Sequence, residues 1–204
     1  GAHGTTLTGS GALTIVGSTT AISGVGIMLD NASITRTESV SLTGLANTSA
    51  DAGTLLQGSQ ARVDAGTAKV SITGRSSTGP GVKISGDLPP APGPMPSVIG
   101  GDVSIDGNTS GSTALHLERT QVKASNGLSL VANGGSLLLQ GSEISSSAGA
   151  GATTLSGASI TLDRSSSVVS SQTANILLIA DQMQLDGLVN AGASGSLTIR
   201  PKTL

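Results

Sequence analysis

The chain carries two histidines, His3 and His116, and histidine is the residue type that most often moves protons in enzymes. His116 stands between Leu115 and Leu117, so the alternation of a strand would turn its ring outward to solvent. A single exposed imidazole with no nucleophile or acid in its motif is typical of a surface residue. His3 lies in Gly-Ala-His at the start, where we expect a vector-derived remnant. The sequence therefore predicts no catalytic histidine.

Acidic and amide side chains return at one position, directly after an aliphatic pair that is repeated along the chain. The set is Asp30, Gln57, Glu118, Gln140, Asp163 and Asp186. Stacked repeats would place them about 4.8 Å apart in one column, where carboxylates could bind cations or act as an acid–base pair. The alternative is a water-facing turn, with Arg119 and Arg164 reducing the repulsion between the acids. Because glutamine interrupts the column, the sequence favours the second interpretation and predicts no catalytic, metal or cofactor site.

The elements that would position these side chains are short strands, because pairs of aliphatic residues spaced i, i+2 recur through the chain. One series is Ile27/Leu29, Thr54/Leu56, Val82/Ile84, Leu115/Leu117, Leu137/Leu139, Ile160/Leu162 and Met183/Leu185. The second series is Leu13/Ile15, Val40/Leu42, Val70/Ile72, Val103/Ile105, Leu128/Leu130, Thr153/Leu155, Ile176/Leu178 and Leu197/Ile199. Residues at i and i+2 share one face of a strand, and recurrence about every 21 to 33 residues indicates one unit stacked many times.

A third segment lies between the two pairs of each repeat and is marked by a single aliphatic residue. These residues are Ile34, Val63, Val122, Ile144, Val168 and Val189. Three strands per repeat, stacked repeat on repeat, predict an all-β fold, a right-handed parallel β-helix or solenoid of about seven to eight rungs. We expect residues 1–204 to form this single domain.

The composition limits the classes of protein that the chain can represent. Its net charge of −2 comes from 10 Lys+Arg and 12 Asp+Glu that are scattered, which argues against nucleic-acid binding. The longest aliphatic run, Ile176–Ala180, is too short to cross a bilayer. The 30 glycines would suit a disordered chain, but a charged fraction of 11% and a mean hydropathy of +0.20 favour a folded one.

Two regions depart from the regular period. The turn from the second pair to the next first pair shortens from Val16–Gly26 to Ala180–Gln182, which predicts the most regular rungs in the C-terminal half. A proline-rich insertion at 86–97 should loop out, because proline cannot donate a ladder hydrogen bond. It is either a tolerated insertion or a partner-binding loop, whose residues would be Leu88, Pro89, Pro90, Pro92, Pro94, Met95 and Pro96.

Units such as Leu115–Ala124 and Ile160–Val169, in a cysteine-free chain rich in Gly, Ser and Thr, resemble the repeats of filamentous haemagglutinin-like exoproteins. These are adhesins of bacterial two-partner secretion, and the resemblance covers about Leu13 to Ile199. The Asn-Pro-Asn-Gly-type signatures of the family's secretion domain and an Arg-Gly-Asp motif are both missing from the sequence. The resemblance implies an internal, non-catalytic segment of a secreted or surface-exposed protein that meets a host-cell or bacterial receptor.

Three other functions stay open beside adhesion. The segment could be the stalk of a contact-dependent toxin delivery protein, or a passenger domain that associates with copies of itself. The third alternative is a β-helix enzyme acting on polysaccharides. With no Trp, Tyr or Phe, the chain cannot stack a sugar ring on an aromatic platform, so the sequence predicts that it is not an enzyme.

Overall fold

The protein is an all-β solenoid in the computed structural model, which describes residues 1–47, 51–87, 94–147, 151–171 and 173–203. These residues form 24 strands, numbered in chain order, and contain no helix. No segment of the described chain is therefore a helix that could cross a membrane. The strands assemble into three parallel sheets of eight strands, and each rung of the solenoid contributes one strand to every sheet. The predicted parallel β-helix is confirmed.

Sheet 1 carries the first aliphatic pair of each repeat. Its strands are β1 (Ala2–His3), β4 (Ile27–Asp30), β7 (Thr54–Gln57), β10 (Val82–Ser85), β13 (Thr113–Glu118), β16 (Ser136–Gln140), β19 (Ser159–Leu162) and β22 (Gln182–Leu185). Sheet 2 carries the single aliphatic residue of each repeat. Its strands are β2 (Thr6–Gly9), β5 (Ser33–Arg36), β8 (Arg62–Asp64), β11 (Ser97–Gly100), β14 (Gln121–Ala124), β17 (Glu143–Ser146), β20 (Ser167–Ser170) and β23 (Leu188–Asn190).

Sheet 3 carries the second aliphatic pair. Its strands are β3 (Leu13–Thr19), β6 (Val40–Ala46), β9 (Val70–Ser76), β12 (Val103–Thr109), β15 (Leu128–Asn133), β18 (Thr153–Ser156), β21 (Ile176–Ile179) and β24 (Leu197–Arg200). The register stacks like on like, as the sequence predicts. In sheet 1, for example, Leu117 pairs with Leu139, which pairs with Leu162. Such ladders bury the aliphatic side chains between successive rungs.

The core is a column of aliphatic side chains that runs along the axis of the rod. Leu117, Leu139, Ile72 and Ile105 are fully buried, and Leu162 is 1% exposed. Full burial of a side chain of this size contributes roughly 1.5–3 kcal/mol to stability, and the contribution is repeated on every internal rung. The interior is narrow, so an aromatic ring repeated at one position would overfill it.

The structure adds strands β1 and β2 to the first rung, of which the sequence analysis recognised only the pair Leu13/Ile15 in β3. His3 lies in β1 and pairs with Asp30, while Leu7 of β2 pairs with Ile34. β1 has only two residues and carries no complete aliphatic pair, so the periodic signal was too weak to predict it. Its side chains are partly buried because no rung covers their outer side in the described chain.

The predicted turn Val16–Gly26 is shorter than expected, because strand β3 continues to Thr19. β6, β9 and β12 have the same length of seven residues, whereas β18, β21 and β24 have four. The longer strands bend around a corner at a ladder of glycines. A Cβ on Gly74 would lie 1.8 Å from the carbonyl oxygen of Gly81, so only glycine fits there. The longest strands of sheet 3 thus lie in the N-terminal half.

The proline-rich insertion joins the rung at residues that already have regular structure. The Gly86 N–H donates to the carbonyl of Glu118 at 2.9 Å, and Pro96 is buried directly before β11. Met95 is half-buried and Pro94 is exposed. The remaining predicted loop residues, Leu88, Pro89, Pro90 and Pro92, lie outside the described residues.

Candidate functional site

The outer face of sheet 1 carries a groove at the rungs of β4, β7 and β10. Strand alternation turns Leu55, Lys83 and His116 to this face, and the register places each beside the next on neighbouring strands. Leu56, Ile84 and Leu117 point into the core from the same strands. One pattern of alternation therefore builds both the core and the floor of the groove.

One half of the groove is a cavity of about 250 Å³ beside the turns that lead from sheet 3 to sheet 1. It is lined by Val25, Asp51, Ala52, Leu55, Gln57, Pro80, Lys83, Ser85 and His116. The turn residues Val25, Ala52 and Pro80 form an apolar wall, and the Lys83 ammonium is the permanent cation of the lining. Lys83 is half-buried and forms no salt bridge with any residue in the described part of the chain.

The other half is a cavity of about 300 Å³ at the corner between sheets 1 and 2. It is lined by Asp30, Gln57, Gly58, Ser85, Gly86 and Asp87. Gln57 and Ser85 line both cavities, so the two halves form one continuous groove along the strands. Lys83 and Asp51 line one half of the groove, and the carboxylates of Asp30 and Asp87 line the other.

His116 faces outward, as the sequence predicts, and is half-buried in the wall of the groove. Its Nε2 lies 2.9 Å from Oε1 of Gln140, one rung further along the chain. The amide oxygen can only accept, so Nε2 carries the proton and donates. This hydrogen bond fixes the orientation of the ring. Ser85 and Asp51 line the same cavity as His116. The described hydrogen bond of the imidazole goes to Gln140 and not to either of them.

The predicted column of acids is present, and three of its acids have hydrogen-bond partners on their own rung or on the preceding one. His3 Nδ1 lies 2.9 Å from Asp30 Oδ2. Gln184 Nε2 donates to Asp186 at 2.7 Å. Asp163 is held by three donors, Ser165 Oγ, Ser166 Oγ and the Gly141 N–H, with Oδ1 accepting from Ser166 at 2.6 Å. Among the described residues, no group of three acids or histidines is arranged to hold a metal ion.

The local hydrogen bonds change the acidity of Asp163. Partial burial alone would raise the pKa of its carboxyl, but the hydrogen bonds from Ser166, Gly141 and Ser165 outweigh burial and lower the pKa below its ordinary value. Asp163 is therefore a stable anion and a structural acceptor. A general acid would need the opposite shift, because it has to hold its proton near neutral pH.

Arg119, expected to offset the charge of the acids, reaches toward the base of the proline-rich insertion. Its Nη1 donates to the carbonyl oxygen of Asp87. The Asp87 carboxylate in turn accepts from the Ser59 N–H at 3.1 Å. These contacts anchor the start of the insertion at the wall of the groove. Arg164 is exposed on its own turn.

A ladder of buried hydroxyls at the corner between sheets 1 and 2 was missed by the sequence analysis. Thr120 and Ser142 are fully buried, and Ser166 is 2% exposed. Ser142 Oγ lies 3.0 Å from the carbonyl oxygen of Leu117 and accepts from the Thr120 N–H at 3.3 Å. The Ser142 N–H donates to Ser166 Oγ at 3.0 Å. A hydroxyl at the same position of three successive repeats was the available signal, and its role is to satisfy the backbone where the chain turns.

The fold and the groove can be set beside known proteins. No protein-family model, curated protein or solved structure matches this chain. The function must therefore be inferred from the chain's own residues and geometry.

Proposed function

We propose that this chain is a non-catalytic β-helical stalk or adhesion segment of a secreted or surface-exposed bacterial exoprotein that mediates cell adherence. The proposal is supported by the continuous aliphatic core, which lets every rung carry the next and so produces a rod. With about 4.8 Å between rungs, eight rungs span roughly 35 Å. A rod of this kind holds other parts of a protein away from the cell surface, where a host-cell or bacterial receptor can be reached.

The chemistry of the described surface agrees with binding without turnover. Asp163 is held as an anion by hydroxyls of its own turn, and the buried hydroxyls of Thr120 and Ser142 are engaged with the backbone. A hydroxyl in such contacts has no base to remove its proton. These three groups serve the fold, because their hydrogen bonds hold the backbone and the turns in place.

The spacer role is tested by removing one complete rung. Deletion of residues 115–136 joins Ala114 to Leu137 and preserves the register, because Leu115 and Leu137 are register partners. We expect the shortened protein to fold and to mediate adherence when displayed on a bacterial surface. Deletion of residues 115–125 is the matched control, since it removes part of a rung and should unfold the rod. Loss of adherence in a folded, one-rung-shorter protein would contradict the spacer role.

Catalysis is tested separately by incubating the protein with polyuronates, glycosaminoglycans and common glycosides. We expect no product. Turnover that copurifies with the folded protein through two different columns would overturn the non-catalytic assignment.

A further inference from the structure

The groove on sheet 1 has the chemistry of a binding site for a short peptide end. A spacer needs no ligand, so this site is a function beyond the one proposed above. We propose that the groove binds the C-terminal tail of a partner protein, with an aliphatic last residue, a free carboxylate and a basic residue about three positions earlier.

The carboxylate of the tail is assigned to the cavity that contains Lys83. The Lys83 ammonium is half-buried and lines a cavity of about 250 Å³ without an ion-pair partner among the described residues. A carboxylate is the group that compensates such a cation, and partial removal from water strengthens the attraction. His116 closes this side of the cavity, in an orientation that Gln140 fixes at 2.9 Å.

The last side chain of the tail is assigned to the apolar wall of the same cavity. Val25, Leu55 and Pro80 line it within reach of Lys83. Neither a bare inorganic anion nor an acidic side chain on its own would use this wall. A C-terminal Val, Leu or Ile would place its carboxylate on Lys83 and its aliphatic group against these residues. The next amide of the tail then meets Gln57 and Ser85, which can both donate and accept.

The basic residue of the tail is assigned to the carboxylates at the other end. Asp30 and Asp87 line the second cavity, which has about 300 Å³. Asp30 Oδ2 lies 2.9 Å from His3 Nδ1 and the Asp87 carboxylate accepts from the Ser59 N–H, so a basic residue would share these carboxylates with the existing partners. Asp30 and Ser85 lie two strands apart, and Lys83 lies two residues before Ser85, so Lys83 and Asp30 are roughly 12 Å apart. An extended chain advances about 3.3 Å per residue, which sets the spacing of about three residues between carboxylate and basic group.

Asp51 also lines the first cavity and is exposed to water at its mouth. Its negative charge opposes a bound carboxylate, but exposure to solvent screens the repulsion. Asp51 therefore weakens binding without preventing it, and Asp51→Asn should tighten it.

The probe is the peptide acetyl-Lys-Gly-Ser-Val with a free C-terminus, titrated into the 204-residue chain while backbone amide shifts are recorded. We expect saturable shifts confined to Leu55, Lys83 and His116 and their neighbours. The same peptide with a C-terminal amide should bind at least about fivefold more weakly, because it lacks the charge that meets Lys83. Lys83→Gln should weaken binding of the free-acid peptide to a similar extent.

Lys123→Gln is the matched control, since Lys123 is an exposed lysine on the outer face of sheet 2. It should leave binding unchanged, and both variants should melt like the parent. Equal affinity for the acid and the amide, an unaffected Lys83→Gln variant, or no saturable shift at millimolar peptide would overturn the proposal. Each of these results leaves the spacer role intact, whereas turnover of a polysaccharide would refute the non-catalytic role and leave peptide binding untouched.

Discussion

The two halves of the rod share one core but close their corners in different ways. In the N-terminal half, strands β6 and β9 have seven residues and bend at glycines that touch the next rung's backbone. In the C-terminal half, β18 and β21 have four residues. At the corner between sheets 1 and 2, the N-terminal half buries Ala32, Ala61 and Pro96, and the C-terminal half buries Thr120, Ser142 and Ser166.

The difference shows which parts of a solenoid are fixed and which are free. The inward ladders must be aliphatic in every rung, because the inward side chains of each rung pack against those of the next. A corner has only to change the direction of the chain and to provide hydrogen-bond partners for the buried backbone N–H and C=O groups. Close backbone contact through glycine and a ladder of hydroxyls are two solutions to the same requirement. The groove lies in the N-terminal half, where the longer turns provide its walls.

The largest expected effect is on the core that both halves share. Leu139→Asp and Leu56→Asp would each place a charge at a fully buried position between two rungs. We expect each variant to lose about 3–5 kcal/mol of unfolding free energy in a urea melt. His116→Ala, on the outer face of the neighbouring strand, should be close to neutral. A mild loss at one leucine and a severe loss at the other would show that the halves differ in their cores as well.

Gly74→Ala should have the next largest effect, and it tests the glycine corner of the N-terminal half. The added Cβ would lie 1.8 Å from the carbonyl oxygen of Gly81, so the backbone must move. We expect a loss of about 2–3 kcal/mol by chemical melt. Gly11→Ala is the control, because nothing lies within 4 Å of a Cβ built there. Equal melts of the two variants would contradict the close contact.

Ser142→Ala tests the hydroxyl corner of the C-terminal half. It removes the acceptor of the Thr120 N–H and a donor to the Leu117 carbonyl, both buried, and should cost about 1–2 kcal/mol. The control is Ser145→Ala, three residues further on and on the outer face of β17. A loss confined to Ser142 supports the ladder, and equal losses would assign it no special role.

The smallest expected effect is the dependence of stability on pH at Asp163. Its pKa is lowered in the folded protein, so the unfolded chain takes up its proton first as the pH falls. The stabilisation is complete above the ordinary aspartate pKa of 3.8 and is lost as the pH drops through the lower pKa of the folded protein. We expect Asp163→Asn to reduce the fall in melting temperature between pH 7 and pH 3.

Asp181→Asn is the companion variant at the last rung. The pKa of Asp181 is also lowered, chiefly by hydrogen bonds from the Thr203 N–H and hydroxyl, but the group is fully exposed. Asp181→Asn should therefore speed hydrogen exchange at the Lys202 and Thr203 amides and leave the melting temperature of the whole protein unchanged. For Asp163, an equal fall in melting temperature with pH in Asp163→Asn and in the parent would exclude the proposed contribution of its carboxylate to stability.

Much of the fold could be read from aliphatic spacing. The pair at Leu137 and Leu139 indicates a strand, its face and its register with Leu115 and Leu117, because stacking of like on like is the arrangement that buries every pair. His116 faces outward by the same alternation. Strands β1 and β2 of the first rung were not predicted, because Leu7 alone cannot form a periodic signal. The groove was not predicted, because turns form its walls and the repeat pattern does not determine the path of a turn.

The sequence by itself determined the solenoid, its three strands per rung and the inward ladders, since these depend on a period that local residues carry. Only the tertiary structure decided that Lys83 and Asp30 face one groove, that Thr120 and Ser142 meet at a buried corner, and that Asp163 accepts from the Gly141 N–H of the preceding rung. These contacts join residues more than twenty positions apart or in separate turns. They arise when rungs stack at a fixed register, and no local pattern encodes the distance between them.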